Sequence, residues 1–268
     1  MTAQFLSDPH SPASAAQNVS TTGPTTLAID IGGSGLKASV LDSAGAMLVD
    51  RVRVKTEYPC PPEALVQRLH ALVRPLPSYD RVSVGFPGMV RAGRVHTAPN
   101  LATVAGPGTK VSPELVRAWR GFDLASALEA ELGRPTRVVN DAELQGAATI
   151  EGKGIELVIT LGTGFGTALF NAGAPCPHLE IAHQPFRKNE TYEEQLGDVA
   201  RRRIGDAKWN RRLKLAVKNM DALMLYDRLH IGGGNSRRVQ MDPGPRVTLV
   251  DNTAGILGGI RLWERPIV

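Results

Sequence analysis

Residues 27–40, LAIDIGGSGLKASV, decide the fold: an apolar run, a glycine-rich turn and a second apolar run. Asp30 closes the first run, and Gly32, Gly33, Ser34 and Gly35 follow before Lys37. Glycine tolerates positive φ and lets a ligand approach the backbone, so consecutive N–H groups can converge on an anion. A P-loop is excluded, because no G-x-x-x-x-G-K-[ST] is present and no helical pattern follows. A dinucleotide fingerprint fails for the same reason, since the glycines lead into Ala38-Ser39-Val40-Leu41. The stretch reads as a β-hairpin whose turn holds phosphate.

The chain contains this unit twice. Residues 157–170, LVITLGTGFGTALF, align with it without a gap at an offset of 130 (27 to 157). Leu27 falls on Leu157, Ile29 on Ile159, Gly32 on Gly162 and Ala38 on Ala168. Two such units predict two homologous lobes facing each other across a cleft. They are not the short-period repeat of a solenoid. Strands alternating with helices between and after the hairpins predict an α/β fold with mixed sheets.

Composition narrows the class. The 268 residues are 42% hydrophobic and 21% charged, ordinary for a globular protein, and suffice for one large domain or two modest ones. No apolar run approaches the roughly 18 residues of a membrane span. Residues 1–23 lack a basic start and an apolar core, so they read as a disordered tail rather than a signal peptide. Cys60 and Cys176, each beside prolines, have no metal-ligand spacing and give little reason to expect a disulfide. A cytoplasmic protein is the simplest reading. The net charge of +5 is concentrated: residues 201–218 carry eight Lys or Arg against one acid, Asp206. That segment is either a track for a polyanion or a solvated helix face. With one aromatic residue, Trp209, and no groove-reading motif, it does not suggest nucleic acid.

Taken in order, residues 47–55 alternate as an exposed strand, and Pro61-Pro62 open a helix with Leu65, Leu69, Leu72, Val73 and Leu76 on one face. Residues 81–86 are a strand, 90–95 a small hairpin, and 122–132 a helix ended by Gly133. A buried strand at 136–139 runs into Asn140 and Asp141. A basic helix spans about 209–225, a short strand 228–231 ends in Gly232-Gly233-Gly234, and a last strand and helix cover 247–250 and 253–263. The expected lobes are 24–140 and 141–250, with a helix at 252–264 packing back on the first.

Three groups of residues carry possible chemistry. Asp141 either caps the helix after it or, at a strand end facing a crevice, serves as general base toward an alcohol. Glu180 and His183, three apart, either shape a loop or together face a polyol, whose hydroxyls suit a carboxylate and an imidazole. A metal site there would be incomplete. Asp30 is a turn residue or holds Mg²⁺ through water beside phosphate oxygens. Lys37 touches a phosphoryl oxygen or points outward.

These motifs, in this order, resemble the repressor–ORF–kinase family of sugar kinases, in its polyphosphate glucokinase branch, over nearly all of 25–264. The carriers are Asp30–Lys37, Gly85-Phe86-Pro87-Gly88, Ala98-Pro99-Asn100-Leu101, Asn140-Asp141-Ala142, Leu161-Gly162-Thr163-Gly164, Glu180-Ile181-Ala182-His183 and Gly232-Gly233-Gly234. The resemblance implies a two-lobed, actin-like ATPase (ribonuclease H-like) fold with a central cleft. It further implies a phosphoryl transfer from inorganic polyphosphate or ATP, with Mg²⁺ at Asp30, to the 6-hydroxyl of glucose and of mannose. Asp141 matches the catalytic base. Gly88, Asn100, Asn140, Glu180, His183 and Glu193 match sugar ligands, Glu194 leaving that last register open. Gly32, Gly33, Ser34, Lys37, Thr163 and Gly164 match phosphate contacts, and Gly233, Gly234 and Asn235 the adenosine side. Two departures stand out. Residues 184–194, QPFRKNETYEE, lack the cysteines of the family's zinc motif, so no structural zinc is expected, and Ser34-Gly35-Leu36 intervene before Lys37. The expected partners are a small sugar and a polyphosphate polyanion, without nucleic acid or membrane, for a monomer or homodimer. An ATP-only kinase of a hexose or N-acetylhexosamine is the alternative. A sugar-responsive repressor of the same family needs a helix-turn-helix that 23 residues ahead of the first hairpin cannot supply.

Overall fold

The computed structural model describes residues 23–240, 242, 244–250 and 254–264. The expected tail thus falls almost wholly outside the described residues.

Two five-stranded mixed sheets form the core. In the first, β1 (Thr26–Ile31) pairs antiparallel with β2 (Leu36–Leu41), which pairs with the short β3 (Val52–Val54). On its other side β1 runs parallel to β4 (Arg81–Phe86), and β4 parallel to β5 (Thr136–Asn140). The second sheet repeats the order: β6 (Ile155–Leu161) pairs antiparallel with β7 (Phe165–Asn171), itself paired with β8 (Ala174–Pro175). Beyond β6 lie β9 (Arg228–Gly232) and β10 (Val247–Leu249), both parallel. The sequence offset holds at the level of register, with Leu27 opposite Val82 in one sheet and Leu157 opposite Leu229 in the other. β1 and β6 are apolar on both faces because each is central and covered on both sides.

Helix starts follow local capping chemistry. α1 (Pro62–Val73) begins with proline at its first position and buries Leu65, Val66, Leu69, Leu72 and Val73. α2 (Pro113–Trp119), which the apolar spacing did not suggest, is capped by Ser112. α3 (Leu124–Leu132) is capped by Asp123 and closed by left-handed Gly133. α4 (Asp141–Thr149) leaves the end of β5 directly. The exposed strand expected over 47–55 shrinks to β3, residues 52–54. The chain before it meets β2 through a bridge between Met47 and Leu41 and the Leu48 N–H bond to the Val40 carbonyl rather than as a continuous ladder.

Past β8 the chain forms a hairpin (Pro185–Arg187 with Glu190–Thr191) and then α5 (Tyr192–Leu196). Tyr192 stacks on Phe186 at 4.4 Å and on Phe165 at 5.5 Å, an aromatic clamp on that hairpin. The basic helix expected at 209–225 is α7 (Asp206–Met224), and a further helix not expected from the sequence, α6 (Asp198–Ile204), precedes it. Gly205, at φ +80°, separates them.

The last helix, α8 (Ala254–Arg261), returns to the first sheet. The Ser83 hydroxyl on β4 donates to the Gly259 carbonyl at 2.6 Å, and the Trp263 indole N–H donates to Ser83 at 2.8 Å. The Arg137 guanidinium lies 4.4 Å over the Trp263 ring. α8 also packs closely on α4, so one helix couples the first sheet to the helix that carries Asp141.

Candidate active site

A cavity of about 270 Å³ lies between the two glycine turns. Its wall is built from Asp30, Gly32, Gly33, Ser34 and Lys37 on one side and Thr163, Gly164, Gly233 and Gly234 on the other. Gly88, Asn100, Asn140, Asp141, Glu180, His183 and Glu193 complete it. The sequence-derived residues thus converge on one cleft, with one exception. Asn235 does not line it: its amide donates to the Gly162 carbonyl and to Asp198 Oδ1, both at 3.2 Å, and so braces the second turn from behind.

Each turn is held by its own backbone and by neighbours. Gly32 and Gly35 exchange N–H···O bonds of 3.0 and 3.3 Å, and Gly162 N–H donates to the Gly164 carbonyl at 3.1 Å. The Thr56 hydroxyl donates to the Gly32 carbonyl at 2.6 Å, while the Tyr58 hydroxyl sits 2.7 Å from the Gly33 carbonyl. A Cβ at Gly164 would lie 2.7 Å from a Glu193 carboxylate oxygen, so the Glu193 carboxylate lies against the second turn. That close approach settles which glutamate faces the cleft. Glu194 instead closes a capping box with Thr191 on the exposed side of α5.

Capping also sorts Asn140 from Asp141. The helix cap is Asn140, whose side-chain oxygen accepts from Ala142 N–H at 2.8 Å while Glu143 accepts from Asn140 N–H at 3.1 Å. The Asn140 amide donates to the Gly88 carbonyl at 3.0 Å, so both ends of this buried side chain are used inside the protein. Asp141, expected as a possible cap, is instead the first residue of α4, with one carboxylate oxygen 2.9 Å from Ala142 N–H. Its carboxyl is pushed up from 3.8 to about 7, first by burial and then by the negative charges of Asp30 and Glu180. The Ala142 N–H and His178 oppose that rise without cancelling it. A carboxylate poised near neutrality in a cleft is suited to accept a proton.

Asp30 does not stand free. It faces Lys37 across the β1–β2 ladder, and Lys37 Nζ bonds its Oδ2 at 2.7 Å. Lys37 therefore neither points outward nor reaches into the cleft unattached. Glu180 is held below the ordinary carboxylate range: burial works against its ionisation, and the hydrogen bond and charge of His178, with His183 beyond, outweigh it. Glu193 is pushed the other way, chiefly by burial.

Sequence reasoning missed His178. Its side chain is 5% exposed and joins Glu180 Oε1 at 3.0 Å. The pattern His178-x-Glu180 was visible, yet two residues of an irregular loop carry no periodicity that predicts contact. Among the described residues, no group of three or more His, Cys, Asp or Glu is arranged to hold a metal ion by itself. No described helix is long and apolar enough to cross a membrane.

Comparison with known proteins follows the same outline. The model of the ROK family matches residues 26–177. Polyphosphate glucokinase of Mycobacterium tuberculosis (strain CDC 1551 / Oshkosh) is 28% identical over 258 residues, which is 89% of this chain and 92% of that protein. N-acetylmannosamine kinase of Escherichia coli (strain SE11) is 33% identical over 158 residues, 56% of this chain and 48% of that protein. Among solved structures, the inorganic polyphosphate/ATP-glucomannokinase of Arthrobacter sp. strain KM superposes with a TM-score of 0.73 at 30% identity, covering 89% of this chain and 97% of that one. The two five-stranded mixed sheets are thus those of the actin-like ATPase fold as ROK sugar kinases build it.

Proposed function

Because this chain belongs to the ROK family of sugar kinases, we propose that it moves a phosphoryl group from inorganic polyphosphate or ATP to the 6-hydroxyl of glucose, and also of mannose. The observation that carries the reading is Asp141: a carboxylate raised to about 7, in the one cleft that also holds both glycine turns and the Glu180–His183–Glu193 group. The full-length likeness to a polyphosphate glucokinase and to a polyphosphate/ATP-glucomannokinase supports the choice of sugar and donor.

Phosphoryl transfer asks a protein for positioning and charge neutralisation more than for covalent help. Gly32, Gly35 and Gly162 use their N–H groups inside the turns, so those of Gly33, Ser34, Thr163 and Gly164 grip the donor from opposite sides, with the Lys37 charge beside them. Glu180, His183 and Glu193 bond the sugar hydroxyls and fix its ring, with Asn100 and the Gly88 backbone lining the same wall. Asp141 Oδ accepts the proton of the attacking hydroxyl as the new O–P bond forms and the donor's terminal P–O bond breaks, releasing ADP or a polyphosphate one unit shorter. Mg²⁺ would be held by Asp30, through the oxygen that Lys37 does not bond, together with the donor's own phosphates, and there it would offset developing charge. Closure of the two sheets over the sugar excludes water, the competing acceptor.

The test is a matrix of donors and acceptors: polyphosphate or ATP against glucose, mannose and N-acetylmannosamine, with the hexose 6-phosphate as readout. The reading expects product from glucose and mannose with both donors. Product from ATP alone rejects the polyphosphate assignment. N-acetylmannosamine as the preferred acceptor replaces the sugar assignment.

A further inference from the structure

Glu180 belongs to a chain of buried charge that reaches Asp141 by a second route. His178, two residues before it, lies with Nε2 3.0 Å from Glu180 Oε1 and Nδ1 3.3 Å from Glu143 Oε1. Glu143 is on α4, 12% exposed, and its other oxygen accepts the Asn140 N–H at 3.1 Å. One imidazole is thus clamped between two carboxylates, one on the loop after β8 and one on the first turn of the helix that starts with Asp141. Nε2 is hydrogen-bonded to Glu180, while Nδ1 meets Glu143 as an ion-pair contact without hydrogen-bond geometry, so an imidazolium is attracted by both carboxylates and donates to one of them.

We propose that His178 is a positioning residue for sugar recognition: as an imidazolium it fixes the Glu180 carboxylate in the cleft and ties it to α4, and so to Asp141. The inference rests on the reading above, in which Glu180 bonds the sugar. Burial opposes charge on His178, yet the negative charges of Glu143 and Glu180, with the hydrogen bond to Glu180, outweigh it and raise its pKa to about 9. Those two carboxylates are the groups that face the ring, from α4 and from the loop. His183 and Glu193 act on Glu180, and Asp141 feels His178 more weakly than it feels Asp30 and Glu180. The sign follows: sugar affinity is held across neutral pH and falls as pH rises through about 9, when the ring loses its proton and Glu180 its donor.

Three variants of the full chain test this, with glucose binding measured by calorimetry without donor and with kcat and KM measured at fixed donor. Glu180→Gln is the reference, and it should raise glucose KM about 10-fold or more. His178→Gln keeps a donor without the charge; it should raise glucose KM about 10-fold while kcat stays within about 3-fold. Glu143→Gln keeps the capping box, since Gln serves at that position, but removes one counter-charge. It should move the alkaline fall in glucose affinity down by about one pH unit. An unchanged KM in His178→Gln, or an alkaline fall that stays in place in Glu143→Gln, overturns the inference while leaving the kinase reading intact. An unchanged KM in Glu180→Gln removes Glu180 from the sugar site, and with it both.

Discussion

Replacing Asp141 by Asn separates chemistry from stability in one residue. The carboxyl rises from 3.8 to about 7 in the folded chain, so the protein holds this proton more tightly than the unfolded chain does. A group with a raised folded-state pKa of this kind costs nothing below about pH 4. Its cost grows as pH climbs, levelling off above about 7. At about 1.36 kcal/mol per pH unit the full penalty is about 4 kcal/mol. Because Asp141 is only part-buried and faces an open cleft, we halve it to about 2 kcal/mol for solvent screening. Asparagine is uncharged and can still accept the Ala142 N–H. The variant should therefore melt roughly 4–8 °C higher than wild type at pH 8, with the gain shrinking toward pH 4. Meanwhile turnover should drop by roughly 10² to 10⁴ for want of the base, and glucose binding should persist. Thermal melts at pH 8 and pH 4.5, beside coupled-assay kinetics, measure both halves. Turnover within tenfold of wild type would sink the base assignment. An inactive variant with the same melting shift at both pH values would show that the carboxylate is not strained by its surroundings.

Other outcomes follow from the same geometry. In the wild type, kcat/KM at subsaturating glucose should fall about tenfold per pH unit as pH drops below about 7, because Asp141 must be ionised to take a proton; a flat profile down to pH 5.5 contradicts it. Gly258→Ala should destabilise the fold by about 2 kcal/mol or more, since its Cβ would fall on the Leu144 carbonyl where α8 crosses α4; chemical denaturation measures it, and a loss under 0.5 kcal/mol, a rough surface-substitution value, refutes the packing argument. On α7, Arg211, Lys214 and Lys218 are exposed, whereas Arg212 is partly buried and donates to the Gln195 carbonyl. Replacing the exposed three by Ala should raise KM for polyphosphate, and weaken its salt dependence, more than for ATP; equal effects on both donors would assign the face to ordinary solvation.

Legibility in the sequence tracked covalent adjacency. Each glycine turn lies within one short stretch, and the two stretches repeat, so the hairpins, the doubled sheet and the candidate phosphate grips could be read directly. Helix starts were legible where a start signature stood beside an apolar face, as at Pro62, whereas over 122–132 the apolar period and Gly133 gave the helix without its Asp123 cap. Starts were missed at Ser112-Pro113 and Thr191, where the signature was present but the helix was too short to show a period. Which of Asn140 and Asp141 caps, which of Glu193 and Glu194 faces the cleft, and that Lys37 lies on Asp30 are matters of a side chain's direction by one residue. Composition and spacing are blind to that direction until partners arrive from elsewhere in the chain.

The sequence alone determined two repeated glycine-turn hairpins and the residue types around them, because backbone propensity and turn chemistry act over a few residues. Only the tertiary structure decided that Asp141 sits near Asp30 and Glu180, far apart in the chain, and that His178 is sandwiched between Glu143 and Glu180. Proton affinity depends on burial and on charges a few ångströms away, and those distances exist only once the two sheets have packed.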